Sequence, residues 1–355
     1  MGLVWAPSAC DAGGMRQGWE HDHGARLRTR AALGLRERIA GTDADRRADQ
    51  IWGEVGERWF GPDDAIWQVH ADTSMFSGGL RALLLQSLHP SAMAGVAEHS
   101  GYKGDPWGRL QRTSHYIAIT TYGTVRHAEA TIGAIRHLHG RVVGTAPDGR
   151  PYAANDPHLL RWVHAAEAES FLATHQAFGA RPLTREQLDE YVAQTAQVSS
   201  RLGVDLAALP QTYDELMQTI ESYRAELVTT PAATEAARFL LLTPPIDRVA
   251  RLGYWTLAAG AISTLPPWSR RMLGLSVLPD QMTAGLDRAV GRPLGRAATA
   301  TTRWLMSDPA VANESRSRAA LAAGQRPEAK SPTGQVHPSG ATPSQGAGAG
   351  SDNPP

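Results

Sequence analysis

An aspartate followed by proline opens an apolar-periodic run twice in this chain, at Asp105-Pro106 and again at Asp156-Pro157. Aspartate at the N-cap accepts a hydrogen bond from an unpaired amide, and proline tolerates the first helical position because its missing N–H has no partner there. "TREQ" at 184–187 and "TYDE" at 212–215 have the form of capping boxes and open further helices. Leu80, Leu83, Leu84 and Leu88 recur at helical spacing in "FSGGLRALLLQSLHPSAMAGVAEH", residues 76–99, and Pro90 should break that run. Ile132, Ile135 and Leu138 fall on one side of the next helical stretch. "TAPDGRPY" carries an Asp148-Gly149 turn that suits a short hairpin. Alternating segments for a large sheet are missing. The pattern therefore predicts a mostly α fold.

The helical pattern fills residues 29–310 of the 355. Residues 1–28 are Gly-rich and read as an irregular N-terminal segment. Residues 322–355 are Pro/Gly/Ser/Ala-rich and cannot bury enough apolar surface to offset chain entropy, so a disordered tail is expected. Lys+Arg and Asp+Glu are both 35, with no basic patch interleaved with aromatics, so nothing points to nucleic acid. The single Cys10 excludes an internal disulfide framework, a cysteine-based zinc or iron–sulfur site and covalent haem attachment, and it suits a reducing cytoplasm. The N-terminus does not read as a secretory signal. No apolar run reaches the roughly 18 residues of a spanning helix. The nearest, "YWTLAAGAISTLPPW" at 254–268, reads as a buried helix.

The chemistry rests on histidine. In "NDPHLLRWVHAAEAESFLATH", Leu160, His164, Ala168, Phe171 and His175 share a helical stripe, with Val163 beside it. A buried imidazole among small residues has two readings. It is a core histidine with one hydrogen-bonded nitrogen, or an axial ligand to iron. On another helix, Arg109, Arg112 and Thr113 stand at i, i+3 and i+4. A cationic fork with a hydroxyl suits a haem propionate or a bound oxygen species, or else it is a solvated face. His89, His99, His115, His137 and His139 are further candidates, each read first as structural; His137 and His139 are two apart and would not meet at one metal. H-E-x-x-H, paired E-x-x-H, phosphate-binding glycine loops and a G-x-S-x-G elbow are absent.

Five segments in order are similar to one known family. They are "GGLRALLLQSLHPSAMAGVAEHSGY", "DPWGRLQRT", "HLHGRVVG", "DPHLLRWVHA" and "LPPWSRRMLGL". Together, from about 60 to about 275, they resemble the oxygenases that include latex-clearing proteins (rubber oxygenases) and the MpaB oxygenase of mycophenolic acid biosynthesis. That resemblance implies an all-α, globin-like fold around a non-covalent b-type haem. It implies His164 as proximal iron ligand, with Arg109 and Thr113 in the haem pocket. Arg112 stands where rubber-cleaving members carry a distal lysine, and arginine keeps the charge but cannot ligate iron. The acidic pocket residue of those members has no firm counterpart, Glu98 being nearest in sequence. The expectation is thus a haem oxygenase acting with O2 on a small apolar substrate, an unsaturated one being one option and polyisoprene being disfavoured by Arg112, with Arg109, Arg112 and Thr113 as catalytic-side residues. A non-catalytic haem-binding or gas-sensing protein, and a metal-free helical scaffold, are the competing expectations. The electron donor stays open. Removing residues 322–355 should leave the thermal midpoint unchanged in a melting experiment, and a large drop would mean that the tail docks.

Overall fold

The computed structural model describes residues 11–101 and 104–311. The 322–355 segment lies outside the described residues. Fifteen α-helices and one small hairpin make up the described fold. The first five helices are α1 (Asp11–Ala40), α2 (Ala44–Trp52), α3 (Ala65–His70), α4 (Met75–Gln86) and α5 (Pro90–His99). Then come α6 (Pro106–Tyr122) and α7 (Val125–His139), followed by β1 (Val143–Thr145) and β2 (Pro151–Ala153). The chain continues through α8 (Pro157–Phe178), α9 (Arg185–Ser200), α10 (Tyr213–Ser222) and α11 (Pro231–Leu242). It finishes with α12 (Arg248–Thr264), α13 (Pro267–Met272), α14 (Asp280–Leu286) and α15 (Arg292–Met306). A π-helical turn, Asp287–Gly291, joins the last two.

The sequence signals become caps. Asp105 and Asp156 accept from the Gly108 and His158 amides at 2.8 and 2.9 Å. At Thr184–Gln187 both arms of the capping box form. At Thr212 only one does, because Glu215 Oε2 accepts from the Gln211 amide instead. α4 ends at Gln86 and α5 begins on Pro90, as the proline requires. The hairpin pairs antiparallel, Gly144 opposite Tyr152, and Gly149 turns it at φ +84°, a left-handed conformation that suits glycine.

α8 is the centre. It packs along α4 and also meets α9, α10, α12 and α15. The expected stripe is buried from Leu160 to His175, but so are Leu159, Trp162, Ala165, Ala166 and Leu172, so the helix is covered on nearly all sides. Such a helix needs small residues where neighbours approach. Gly78 on α4 is one: a Cβ there would lie 2.7 Å from both the Phe171 ring and Thr174 Oγ1. Where α12 crosses α15, Gly260 and Gly295 meet backbone to backbone. Arg81, 1% exposed, reaches from α4 to α8. Its Nη2 donates to Glu169 Oε1 at 2.8 Å, its Nη1 to Ser170 Oγ at 2.7 Å, and its Nε to the Thr264 carbonyl of α12 at 3.1 Å.

Four expectations change. The segment 1–28 is not irregular throughout, since α1 begins at Asp11; the helix packs on α6 and α15, with Ala32 fully buried. Leu83 is 37% exposed, at the edge of the α4 face that buries Leu80 and Leu84. Leu138 is 57% exposed, so α7 buries Ile132 but not the end of its apolar side. The 254–268 run is buried only in part: Ala258 and Ala261 face the core while Trp255 is 48% exposed. No described helix is long and apolar enough to cross a membrane.

Breaking the central pair should be costly, because a buried charge would lose its partner. Arg81→Ala is expected to lower unfolding stability by about 3–5 kcal/mol in urea titrations. Arg81→Met with Glu169→Leu together should cost less than Arg81→Ala alone, since no uncompensated charge remains.

Candidate functional site

His164 lies two turns into α8 and is 7% exposed. Its Nδ1 is 2.8 Å from Ser199 Oγ at the end of α9. Its Nε2 is buried without a hydrogen-bond partner. Burial pushes its pKa down to about 4, so the ring is neutral at physiological pH. A serine oxygen can accept from Nδ1–H, which leaves the Nε2 lone pair bare. A ligating histidine shows the same division, with one nitrogen fixed by a hydrogen bond and the other left for a metal.

One turn further along α8 is Glu167, which the sequence reading passed over. It is partly buried, and burial pushes its pKa up to about 7. Its charge acts on Tyr116 of α6 and on Tyr191 of α9, both raised mainly by burial and secondarily by Glu167. Tyr191 OH in turn lies 3.1 Å from His70 Nε2, and His70 Nδ1 lies 2.7 Å from Thr121 Oγ1. A carboxyl group that titrates near neutrality thus sits beside His164 and next to buried hydroxyls and an imidazole. Its signal in the sequence was position alone, three residues after His164 inside a stretch otherwise rich in alanine.

The other side of this region is the α6–α7 pair, turned at Gly123 and Thr124. Ile119, Thr120 and Thr121 of α6 and Ala128 and Ile132 of α7 are buried near that turn. Toward the open end the pair is far more exposed, and neither helix packs closely along α8. Arg109, Thr113 and Tyr116 follow one another at spacings of four and three, on one face of α6. Tyr116 reaches the core; Arg109 is partly buried and Thr113 is exposed. Arg112 is exposed, with its Nη1 3.2 Å from Oδ2 of the N-cap Asp105. It is therefore held on the solvent side of α6.

The remaining histidines separate. His139, at the end of α7, is partly buried and pushed down by burial. His115 is pushed down by burial and then by the Arg47 charge. His137 is exposed and contacts Arg141; with Arg136, Gly133, Asn155, Leu202 and Gly203 it borders a cavity of about 410 Å³. His99 stands beside Tyr152, and Glu98 accepts from Tyr152 OH at 2.5 Å, so that carboxylate is tied to the hairpin. His89 caps α5.

Residues 67–308 match the family described as the catalytic domain of ER-bound oxygenase mpaB/B′ and rubber oxygenase. The chain belongs to this family. The match runs on past residue 275 through α15, which is reasonable because α15 packs on α12, α8 and α4 and completes the cover of the central helix. Among curated proteins, the Uncharacterized protein Mb2261 of Mycobacterium bovis is 31% identical over 98 residues, and so is the Uncharacterized protein Rv2237 of Mycobacterium tuberculosis. Each alignment spans 26% of this chain and 38% of the relative. No solved structure matches the chain.

The Glu167 shift carries a sign that can be measured. Its folded pKa lies above the unfolded carboxylate value, so its contribution to stability is fully present at acid pH and is lost as pH rises through about 7. Glu167→Gln should melt at the same temperature as the parent near pH 4 and at a higher temperature near pH 8. A lower midpoint for the variant at pH 8 would show that the ionised carboxylate is stabilised.

Proposed function

We propose that this member of the oxygenase family is a b-type haem enzyme that acts with O2 on a small apolar, unsaturated substrate. The observation that carries this reading is the bare, buried Nε2 of His164, whose partner nitrogen is engaged by Ser199. An unpaired nitrogen in the core is a cost that a metal bond would remove. The donor types suit the group: a neutral imidazole on α8, with the half-buried Arg109 and the exposed Thr113 on α6 as the cationic and hydroxyl groups that would reach it. When bound, haem would supply the redox chemistry of dioxygen activation.

The protein's own residues then have separable roles. His164 would hold iron through Nε2 while Ser199 fixes the ring orientation at Nδ1. Arg109 and Thr113 would bind the haem edge or the oxygen side, an arginine being suited to planar carboxylates and to developing negative charge. Arg112, set on the outer face with Asp105, is the weaker of the two arginines for a catalytic role. Glu167 would hold a proton on its carboxyl oxygen or give it up near pH 7, which is the range a general acid or base requires. The apolar walls around α8 would exclude water and favour an apolar substrate. We also assign the enzyme to the cytoplasm, on the strength of its lone cysteine.

His139 is the rival ligand, since it lies half-buried at the open end of α7, and one experiment separates it from His164. Full-length protein expressed with haem supplied should show a Soret band. His164→Ala should lose it, His139→Ala should keep it, and Arg109→Ala should weaken haem retention more than Arg136→Ala. Loss in His139→Ala with retention in His164→Ala would move the ligand to α7. A parent protein without a Soret band would overturn the haem reading. Oxygen-dependent conversion of an apolar alkene distinguishes an enzyme from a haem carrier.

A further inference from the structure

A second group of ligating side chains lies away from that region, where three separate parts of the chain meet. His89 stands between α4 and α5, His158 is in the first turn of α8, and Glu226 follows α10. A backbone bond from the Val228 amide to the Leu88 carbonyl, 2.8 Å, sets the Glu226 loop against His89. The ligating atoms of the three residues all lie within 4.8 Å of one another. They border a small cavity of about 100 Å³, with Asp156 and Arg150 on its wall. His158 and His164 are six residues apart, which puts their rings roughly 120° apart around the α8 axis.

The hydrogen bonds around the cluster are compatible with a bound cation and leave one buried nitrogen without a partner. Tyr223 OH donates to the His158 carbonyl at 2.8 Å, so its oxygen is free to accept from His158 Nδ1–H at 3.3 Å. That tautomer turns the Nε2 lone pair of His158 toward the Glu226 carboxylate, 2.9 Å from Oε2 and 3.1 Å from Oε1. A cation can bridge two lone-pair holders at that separation, and in the other tautomer Nε2–H would donate to the carboxylate instead. Neither arrangement of the His158 protons provides a partner for His89. His89 is 3% exposed, its Nε2 is 3.8 Å from Glu226 Oε2, and that nitrogen is buried without a hydrogen-bond partner.

We propose that His89, His158 and Glu226 form a binding site for a divalent transition metal of the zinc class, separate from the oxygenase centre. Two imidazoles and one carboxylate are a recurrent zinc set, and a fourth position is left for water or Asp156. Zinc–ligand distances of about 2.0–2.1 Å in a tetrahedron place neighbouring donors roughly 3.3 Å apart, so donors now within 4.8 Å of one another would close by up to about 1.5 Å on binding. His89 would bind through Nε2 and keep its proton on Nδ1, giving up a 3.5 Å contact with the Ala92 amide that is at the limit of a hydrogen bond. Tyr223 would serve as the outer partner that orients His158. The metal would clamp the α4–α5 junction, the start of α8 and the loop after α10.

The test is zinc binding to the full chain after chelator treatment and dialysis, followed by isothermal titration and elemental analysis. One equivalent of zinc per chain is expected, with a rise in thermal midpoint on loading. Glu226→Gln, at a partly exposed loop position where folding should survive, should weaken zinc binding at least tenfold and abolish the thermal shift. His158→Ala should do the same, whereas His137→Ala should keep the parent affinity. The proposal is overturned if the parent binds no stoichiometric zinc, if Glu226→Gln binds it as well as the parent, or if His137→Ala loses it.

Discussion

Arg81 is the point on which the packing turns. A guanidinium enclosed by three helices would be intolerable alone, and the fold answers it completely: a carboxylate and a hydroxyl from α8, and a carbonyl from the end of α12. Those partners can reach it only if α4, α8 and α12 hold one register. A buried ion pair adds little net stability against a well-packed apolar core, but it penalises every arrangement that leaves one partner alone. Here it fixes the rotation of α8 about its axis, and with it the direction in which His164 and Glu167 point.

From that rotation the rest follows. With Glu169 and Ser170 turned to Arg81, His164 is turned to Ser199, and Glu167 to Tyr116 and Tyr191. The same low-dielectric surroundings drive the imidazole toward neutrality and the carboxyl toward protonation. One helix therefore carries a buried imidazole nitrogen without a hydrogen-bond partner and a carboxyl pushed up to about 7, one turn apart. Across from it, α6 and α7 are anchored at their turn and more exposed beyond it. That asymmetry explains why Ile119 and Ile132 are core residues while Leu110 and Leu138 on the same two helices are 39% and 57% exposed.

Much of this was legible along the chain. The Asp-Pro starts, the Thr184 box and the Pro90 break are local: each depends on residues within four positions, and each formed as written. The burial of His164 was also legible, because its stripe is made of neighbours in one helix. What could not be read was which side of each amphipathic helix would find a partner. Leu83 and Trp255 look like core residues by periodicity and are partly exposed because no described helix covers them fully. α1 begins well before its expected start and packs on α6 and α15, segments far away along the chain. Glu167 and the His89–His158–Glu226 cluster were missed for the same reason: their meaning comes from residues dozens of positions away.

By itself, then, the sequence determined where helices begin and end, that the fold is helical, that cysteine chemistry is nearly absent, and that His164 sits on a buried face. Those are consequences of short-range hydrogen bonding, periodicity and composition. Only the tertiary structure decided that Ser199 holds one nitrogen of that ring, that Arg112 turns outward to Asp105, that Glu98 is engaged by Tyr152, and that Glu167 is partly buried among tyrosines. The reason is physical: a side chain's charge state and available partners are set by the dielectric and the donors around it, and these come from segments brought together only when the helices pack.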